Sequence, residues 1–125
     1  MTIDASAAPG FVVSGGGTSR VLQVNAGADV TVIGAEIADG AAAPQGGGIL
    51  NFGTLTLDEV VVRDNTESSA APANFEFGGG GIYNGAGSTL NLVDSTVRAL
   101  GRQSLSAGRA PEVTYDQARL HIRWP

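Results

Sequence analysis

Apolar and polar positions alternate in short runs along the first hundred residues: TID (2–4), FVV (11–13), VLQV (21–24), VTVIGAEI (30–37), GILN (48–51), TLTLDEVVV (54–62), GIYN (81–84) and TLNLVDSTV (89–97). Successive side chains of a strand point to opposite faces, so TLTL sends Leu55 and Leu57 one way and Thr54 and Thr56 the other. The runs are bounded by Gly, Asn, Asp and Ser, and none is long enough to insist on a helix. The pattern predicts an all-β chain of short strands.

The strands repeat. DVTVIGAEIADG (29–40), TLTLDEVVVRDN (54–65) and TLNLVDSTVRAL (89–100) match position for position, which sets Val32 with Leu57 and Leu92, and Ile37 with Val62 and Val97. A second string, GGGILN (46–51), returns as GGGIYN (79–84), setting Ile49 with Ile82, Gly48 with Gly81, and Asn51 with Asn84. RVLQVNAG (20–27) reads as an earlier, degenerate copy with Asn25 near the Asn position. A shared pattern returning every 20 to 40 residues, roughly, is the signature of a solenoid. Each unit has strand edges above and below, and a neighbour stacked about 4.8 Å away satisfies them while burying the inward Leu, Ile and Val. Asn51 and Asn84 are predicted at a recurring turn, with side-chain amides bonding to turn backbone and to each other. The second interval is longer than the first, and the extra residues fall in ESSAAPANFEFG (67–78), which reads as a loop thrown out from one corner.

Composition narrows this reading. Nineteen glycines, 6% aromatics and the absence of lysine describe a turn-rich chain with a core of small layers. With no cysteine there are no disulfides, thiolate metal sites or Cys nucleophiles. A net charge of −5 argues against nucleic-acid binding through phosphate neutralisation. No apolar run approaches the roughly 20 residues of a membrane-spanning helix. MTIDASAAPG does not read as a signal peptide. Charge is divided unevenly: residues 1–97 hold ten carboxylates against Arg20 and Arg63, whereas residues 98–125 hold five arginines against Glu112 and Asp116. The expected division is therefore a repeat region, 1–98, and a divergent tail, 99–125. Two readings of the tail stand open: a frameshifted or truncated, disordered end, and a genuine cap over the last rung.

GGGIxN followed by GTLTL and STV resembles the repeat of right-handed parallel β-helix proteins similar to pectate lyases, specifically of bacterial surface proteins resembling chlamydial polymorphic outer membrane proteins. The resemblance covers about residues 2–98. It implies a right-handed, single-stranded parallel β-helix of about three to four coils, part of a longer protein that is extracellular or at the cell surface. It is specific for fold and weak for activity.

The same residues bear on chemistry. GGGGIYNGAG (78–87) lacks the Lys-Ser/Thr of a phosphate loop and has strands, not a helix, beside its glycines. A calcium nonapeptide needs Asp where this chain has Tyr83, or Phe52 and its neighbours. A lyase-type site needs clustered carboxylates with Arg or Lys; Asp58, Glu59, Asp64 and Asp94 are the available acids, with Glu59 and Asp94 aligned and Arg63 or Arg98 able to stand between them. Solvated carboxylates beside a turn are the plainer reading. Thr31, Thr54, Thr56 and Thr89 read as ordinary outward strand residues rather than an ice-binding ladder, and His121 and Trp124 fall in the divergent tail. Phe75, Glu76 and Phe77 form an aromatic pair around an acid on the extra loop, suited to a sugar ring or protein partner or to packing on the coil. The expectation is a structural segment that displays loops for adhesion or glycan binding, without catalytic residues, metal or cofactor. Self-association through the open strand edges is expected too. The competing expectation is a piece of a polysaccharide lyase or glycoside hydrolase.

Overall fold

The computed structural model describes residues 1–42, 46–67, 81–99, 105–107, 112–116 and 120–123. The chain forms β1 (Thr2–Asp4), β2 (Val12–Ser14), β3 (Leu22–Val24), β4 (Asp29–Ile33), β5 (Glu36–Ala38), β6 (Ala41–Ala42), β7 (Ile49–Asn51) and β8 (Thr54–Asp58). It continues through β9 (Val61–Glu67), β10 (Ile82–Asn84), β11 (Thr89–Val93), β12 (Thr96–Ala99), β13 (Leu105–Ala107), β14 (Glu112–Asp116) and β15 (Leu120–Arg123). There is no helix among the described residues. The alternating runs of the first hundred residues all become strands; β6 and the strands after β12 carried no such signal.

Strands join three sheets in rotation. The first holds β1, β4, β8, β11 and β14 in parallel, with β15 antiparallel on β14. The second holds β2, β5, β9 and β12; the third holds β3, β7, β10 and β13; β6 pairs with the far part of β9. Chain order thus visits first, second and third sheet in turn, and each strand lies on its counterpart one unit away. This is a solenoid-like stack of parallel coils. The register is the one that the apolar positions demand: Val32 opposes Leu57, Leu57 opposes Leu92, and Ile37 and Val97 flank Val62. A slip by one residue would turn each inward Leu or Val outward, so core burial fixes the pairing.

Leu55, Leu57, Val60, Val62, Ile49, Ile82 and Leu90 are fully buried in one continuous core. The intervening Thr54, Thr56, Thr89 and Asn91 lie half-buried on the outer face of the first sheet. The third sheet departs from simple alternation. Leu50 and Tyr83 are buried along with their neighbours Ile49, Asn51, Ile82 and Asn84, so both faces of β7 and β10 are covered.

Between the first and second sheets the chain turns through Gly34, Glu59 and Asp94, which take φ of 70°, 53° and 47° at equivalent positions. Asp39 and Asp64 form a second such pair, with φ of 54° and 55°. Left-handed backbone brings Cβ close to the following carbonyl; Gly escapes this cost and Asp tolerates it, but Glu has no such local compensation.

Three details refine the expected register. Leu22 opposes Ile49 and Val24 opposes Asn51, so the inner position near which Asn25 was expected is taken by Val24, and Asn25 lies one residue on and is exposed. Thr66 and Glu67 belong to β9, leaving the inserted stretch to begin after them. At β12 the pairing shifts between Val97 and Ala99, which opposes Asn65, yet β13 and β14 then pair with β10 and β11. Sheet pairing therefore continues past residue 98.

Candidate functional site

The corner after the third sheet is built from Asn51 and Asn84. Both side chains end an inward-facing column headed by Ile49 and Ile82, and both are fully buried. Asn51 Nδ2 donates to Asn84 Oδ1 at 2.7 Å and to the Thr89 carbonyl at 2.8 Å, while its Oδ1 accepts from the Gly53 N–H at 3.0 Å. The Ser88 hydroxyl lies 2.8 Å from Asn84 Oδ1. A buried amide without partners would carry its full desolvation cost, so these bonds are what permit Asn in a core of Val, Leu and Ile. The two carboxamides serve the turn backbone.

Asn65 does the same work at another corner. Its Oδ1 accepts from the Gly40 N–H at 2.8 Å and its Nδ2 donates to the Ile37 carbonyl at 3.0 Å, with the side chain fully buried. In the sequence Asn65 closes the run TLTLDEVVVRDN, and nothing in that run marks it as interior. The signal that could have found it is the pair Asp64–Asn65 at the end of an alternating run, where a lone repeat copy shows no ladder.

Gly48 stands against Asn65: a Cβ there would lie 2.7 Å from Asn65 Cγ and 2.7 Å from the Gly81 carbonyl oxygen. Val21 and Leu22 both donate N–H to the Gly48 carbonyl, and Ile49 donates to that of Gly81, so the paired glycines mark successive rungs of one backbone ladder. Arg20 crosses to the same region, its Nε donating to the Gly46 carbonyl at 2.9 Å and one Nη to Gln23 Oε1 at 3.1 Å. Burial draws its guanidinium below its ordinary value.

The carboxylates do not converge. Glu59 and Asp94 occupy equivalent corner positions, both exposed, one residue beyond the pair Asp58 and Val93. Arg63 does not stand between them: its Nε holds Glu36 at 2.8 Å and an Nη holds Asp64 at 2.7 Å. Those bonds, Glu36 first and Asp64 second, raise the Arg63 guanidinium above its usual value. Among the described residues no group of three or more His, Cys, Asp and Glu is placed to hold a metal ion, and no helix is long and apolar enough to cross a membrane. Near the amino terminus, Asp4 is held below the ordinary Asp value, by the Ser6 hydroxyl foremost and by the Ser6 N–H at 2.9 Å, against a smaller cost of burial.

On the outer face of the first sheet, Thr31, Thr56 and Asn91 form one column and Asp29, Thr54 and Thr89 a second. Asn91 Nδ2 donates to Thr56 Oγ1 at 3.3 Å, so part of this array is spent on itself. Phe75, Glu76 and Phe77, the proposed binding loop, lie outside the described residues, as do His121's side chain and Trp124. In comparisons with protein-family models, curated proteins and solved structures, nothing matches this chain.

Proposed function

We propose that the chain is the coil stack of a right-handed parallel β-helix of the bacterial cell-surface type, whose role is to extend a stiff rod and present corner loops to glycan or protein partners. The observation that carries this reading is the Asn51–Asn84 bond within two in-register coils: the polar residues of the interior are committed to holding corners. Parallel strands of one sheet joined by a crossover wind right-handed in nearly every known case, which supports the handedness. The placement of the extra sequence also supports display. Residues 68–80 connect the end of β9 to Gly81, at a point where the preceding coil makes its passage with fewer residues, and they include Phe75, Glu76 and Phe77.

Rigid scaffolds commonly carry their binding residues on such loops, and aromatic side chains offer flat apolar area to a sugar ring. The test is a glycan array probed with the full chain and with a Phe75→Ala, Phe77→Ala double variant. Retained glycans that the double variant loses, with no release of unsaturated or reducing sugar, agree with the proposal. Sugar release would replace it with the lyase or hydrolase reading.

A further inference from the structure

We propose that the Asn84–Gly85 peptide is a self-modification site, kept intact while β10 lies stacked on β7 and deamidating, with water as the co-reactant, when that coil opens. Of the chain's six asparagines, Asn84 alone is followed by glycine. A glycyl nitrogen has no side chain beside it to hinder its approach to the preceding carboxamide, so Asn–Gly closes to a succinimide more readily than other Asn pairs. The fold itself demands this pairing. Asn84 is required by the corner ladder, and a Cβ at position 85 would enter the space of the Phe52 ring, 2.6 Å from Cε1 and closer still to Cδ1.

In the stacked state Asn51 holds both reacting groups. Its carbonyl accepts the Gly85 N–H at 2.7 Å, which ties up the nucleophile, and its Nδ2 donates to Asn84 Oδ1 at 2.7 Å, which fixes the electrophile. Ser88 holds them from the other side, its hydroxyl 2.8 Å from Asn84 Oδ1 and its N–H donating to the Gly85 carbonyl at 3.1 Å. Asn84 and Gly85 are both buried, which keeps water from the carboxamide. Both Asn51 bonds come from the neighbouring coil, so they are lost together when β10 leaves β7. The site is internal to the stack, since β10 has a parallel strand on each side, β7 and β13. The chain's one Asp–Gly pair is closed in the same manner: the Gly40 N–H next to Asp39 is donated to Asn65 Oδ1 at 2.8 Å.

Once the coil opens, the Gly85 nitrogen attacks Asn84 Cγ. The N–Cγ bond forms, the Cγ–Nδ2 bond breaks, and ammonia leaves with the proton that the Gly85 nitrogen gives up. Water then opens the imide at either carbonyl. Attack on Cγ leaves aspartate at position 84; attack on the α-carbonyl carbon leaves isoaspartate, whose main chain runs through the side chain and is longer by an atom. Aspartate would turn a carboxylate oxygen toward the Ser88 carbonyl, which lies 3.5 Å from Asn84 Nδ2 in a fully buried site. Isoaspartate would displace Gly85 from the Asn51 carbonyl. Opening of this coil is thereby recorded chemically, because the reacted chain restacks less well.

The experiment incubates the full chain in mildly alkaline buffer, folded and in unfolding urea, with peptide mass spectrometry and ammonia release as readouts and circular dichroism reporting the fold. The expected result is that Asn84 is the fastest-reacting asparagine in urea and reacts at least about tenfold more slowly in the folded chain, where only opened molecules contribute. Asn51→Ala, which removes one of the two holds, should react faster than the unaltered chain without urea, and Asn25→Ala should not. Should Asn51→Ala fail to fold, urea below the unfolding transition of the unaltered chain supplies the same readout, the rate at Asn84 rising with urea. Asn84→Asp, which supplies the aspartate product directly, should unfold at lower urea than the unaltered chain. Equal rates at Asn84 with and without urea, a faster reaction at another asparagine, no acceleration by Asn51→Ala or by low urea, or an unchanged urea midpoint in Asn84→Asp would each overturn the proposal.

Discussion

Asn51 Nδ2 and Asn84 Oδ1 lie 2.7 Å apart although 33 residues separate them in the chain, and both side chains are fully excluded from solvent. The bond ties one coil to the next at a point where apolar packing alone would leave turn amides without partners. Replacing Asn51 by Ala removes the partners of the Gly53 N–H and the Thr89 carbonyl together. At about 1–3 kcal/mol for each buried group left unsatisfied, and with both of these bonds only partly buried, the expected loss is about 2–4 kcal/mol in denaturant unfolding. Asn25→Ala, at an exposed position, should change stability by less than about 0.5 kcal/mol. Equal effects at the two sites would refute the assignment of the inner rung to Asn51 and Val24.

What the sequence exposes follows from which physical constraint each residue answers. Val32, Leu57 and Leu92 repeat because one narrow core accepts them at one register, and that periodicity is visible in the string. Asn51 and Asn84 were legible for the same reason, as two copies of one turn. Val24 was not, since an Asn one residue later offered a chemically better match than the register allowed. Asn65 lacks a repeated Asn partner, its counterpart position being filled by Ala99. The burial of Leu50 and Tyr83 was equally hidden, because alternation assigns one face to the core and says nothing of what covers the other.

Gly48 owes its identity to the Asn65 carboxamide beside it. A methyl group at position 48 would overlap Asn65 Cγ and the Gly81 carbonyl, and both belong to packed, hydrogen-bonded structure that has little room to yield. Gly48→Ala should therefore destabilise by about 1–3 kcal/mol, the usual cost of overpacking. Asn65→Ala should be destabilising on its own, through the loss of its bonds to Gly40 and Ile37. Because the smaller side chain at 65 also makes space for the methyl at 48, the double variant should lose less than the sum by at least about 0.5 kcal/mol. Additivity within error would show that the two positions do not share a contact.

Asp4 should titrate below an ordinary aspartate, because the Ser6 hydroxyl and N–H both favour its charged form. A carboxyl whose folded value is depressed adds stability above its unfolded value, near 3.9, and that contribution disappears as pH falls through the lower folded value. The window is thus acidic, and neutral pH lies on its plateau. Carbon-detected NMR titration of the Asp4 carboxyl should show the depressed midpoint. In Ser6→Ala the midpoint should move up toward the ordinary value without reaching it, since the backbone N–H remains. A midpoint unchanged by that substitution would mean that the hydroxyl is not the main cause.

Glu59 occupies a left-handed turn position that its counterparts fill with Gly34 and Asp94. Its N–H bonds to the Val93 carbonyl, so the conformation is held from the neighbouring coil while the side chain remains exposed. An L-residue without a short polar side chain carries a conformational cost of about 1–2 kcal/mol there. Asn visits this region far more readily and keeps the backbone donor. Glu59→Asn is accordingly expected to raise unfolding free energy by about 0.5–1 kcal/mol. Glu59→Gln separates this effect from relief of repulsion with Asp94, because it removes the charge and leaves the strained backbone in place. It should gain less than about 0.3 kcal/mol, the scale of an exposed charge change. If Gln stabilises as much as Asn, the cost at this corner is electrostatic, and the match of Glu59 to Gly34 is incidental to stability.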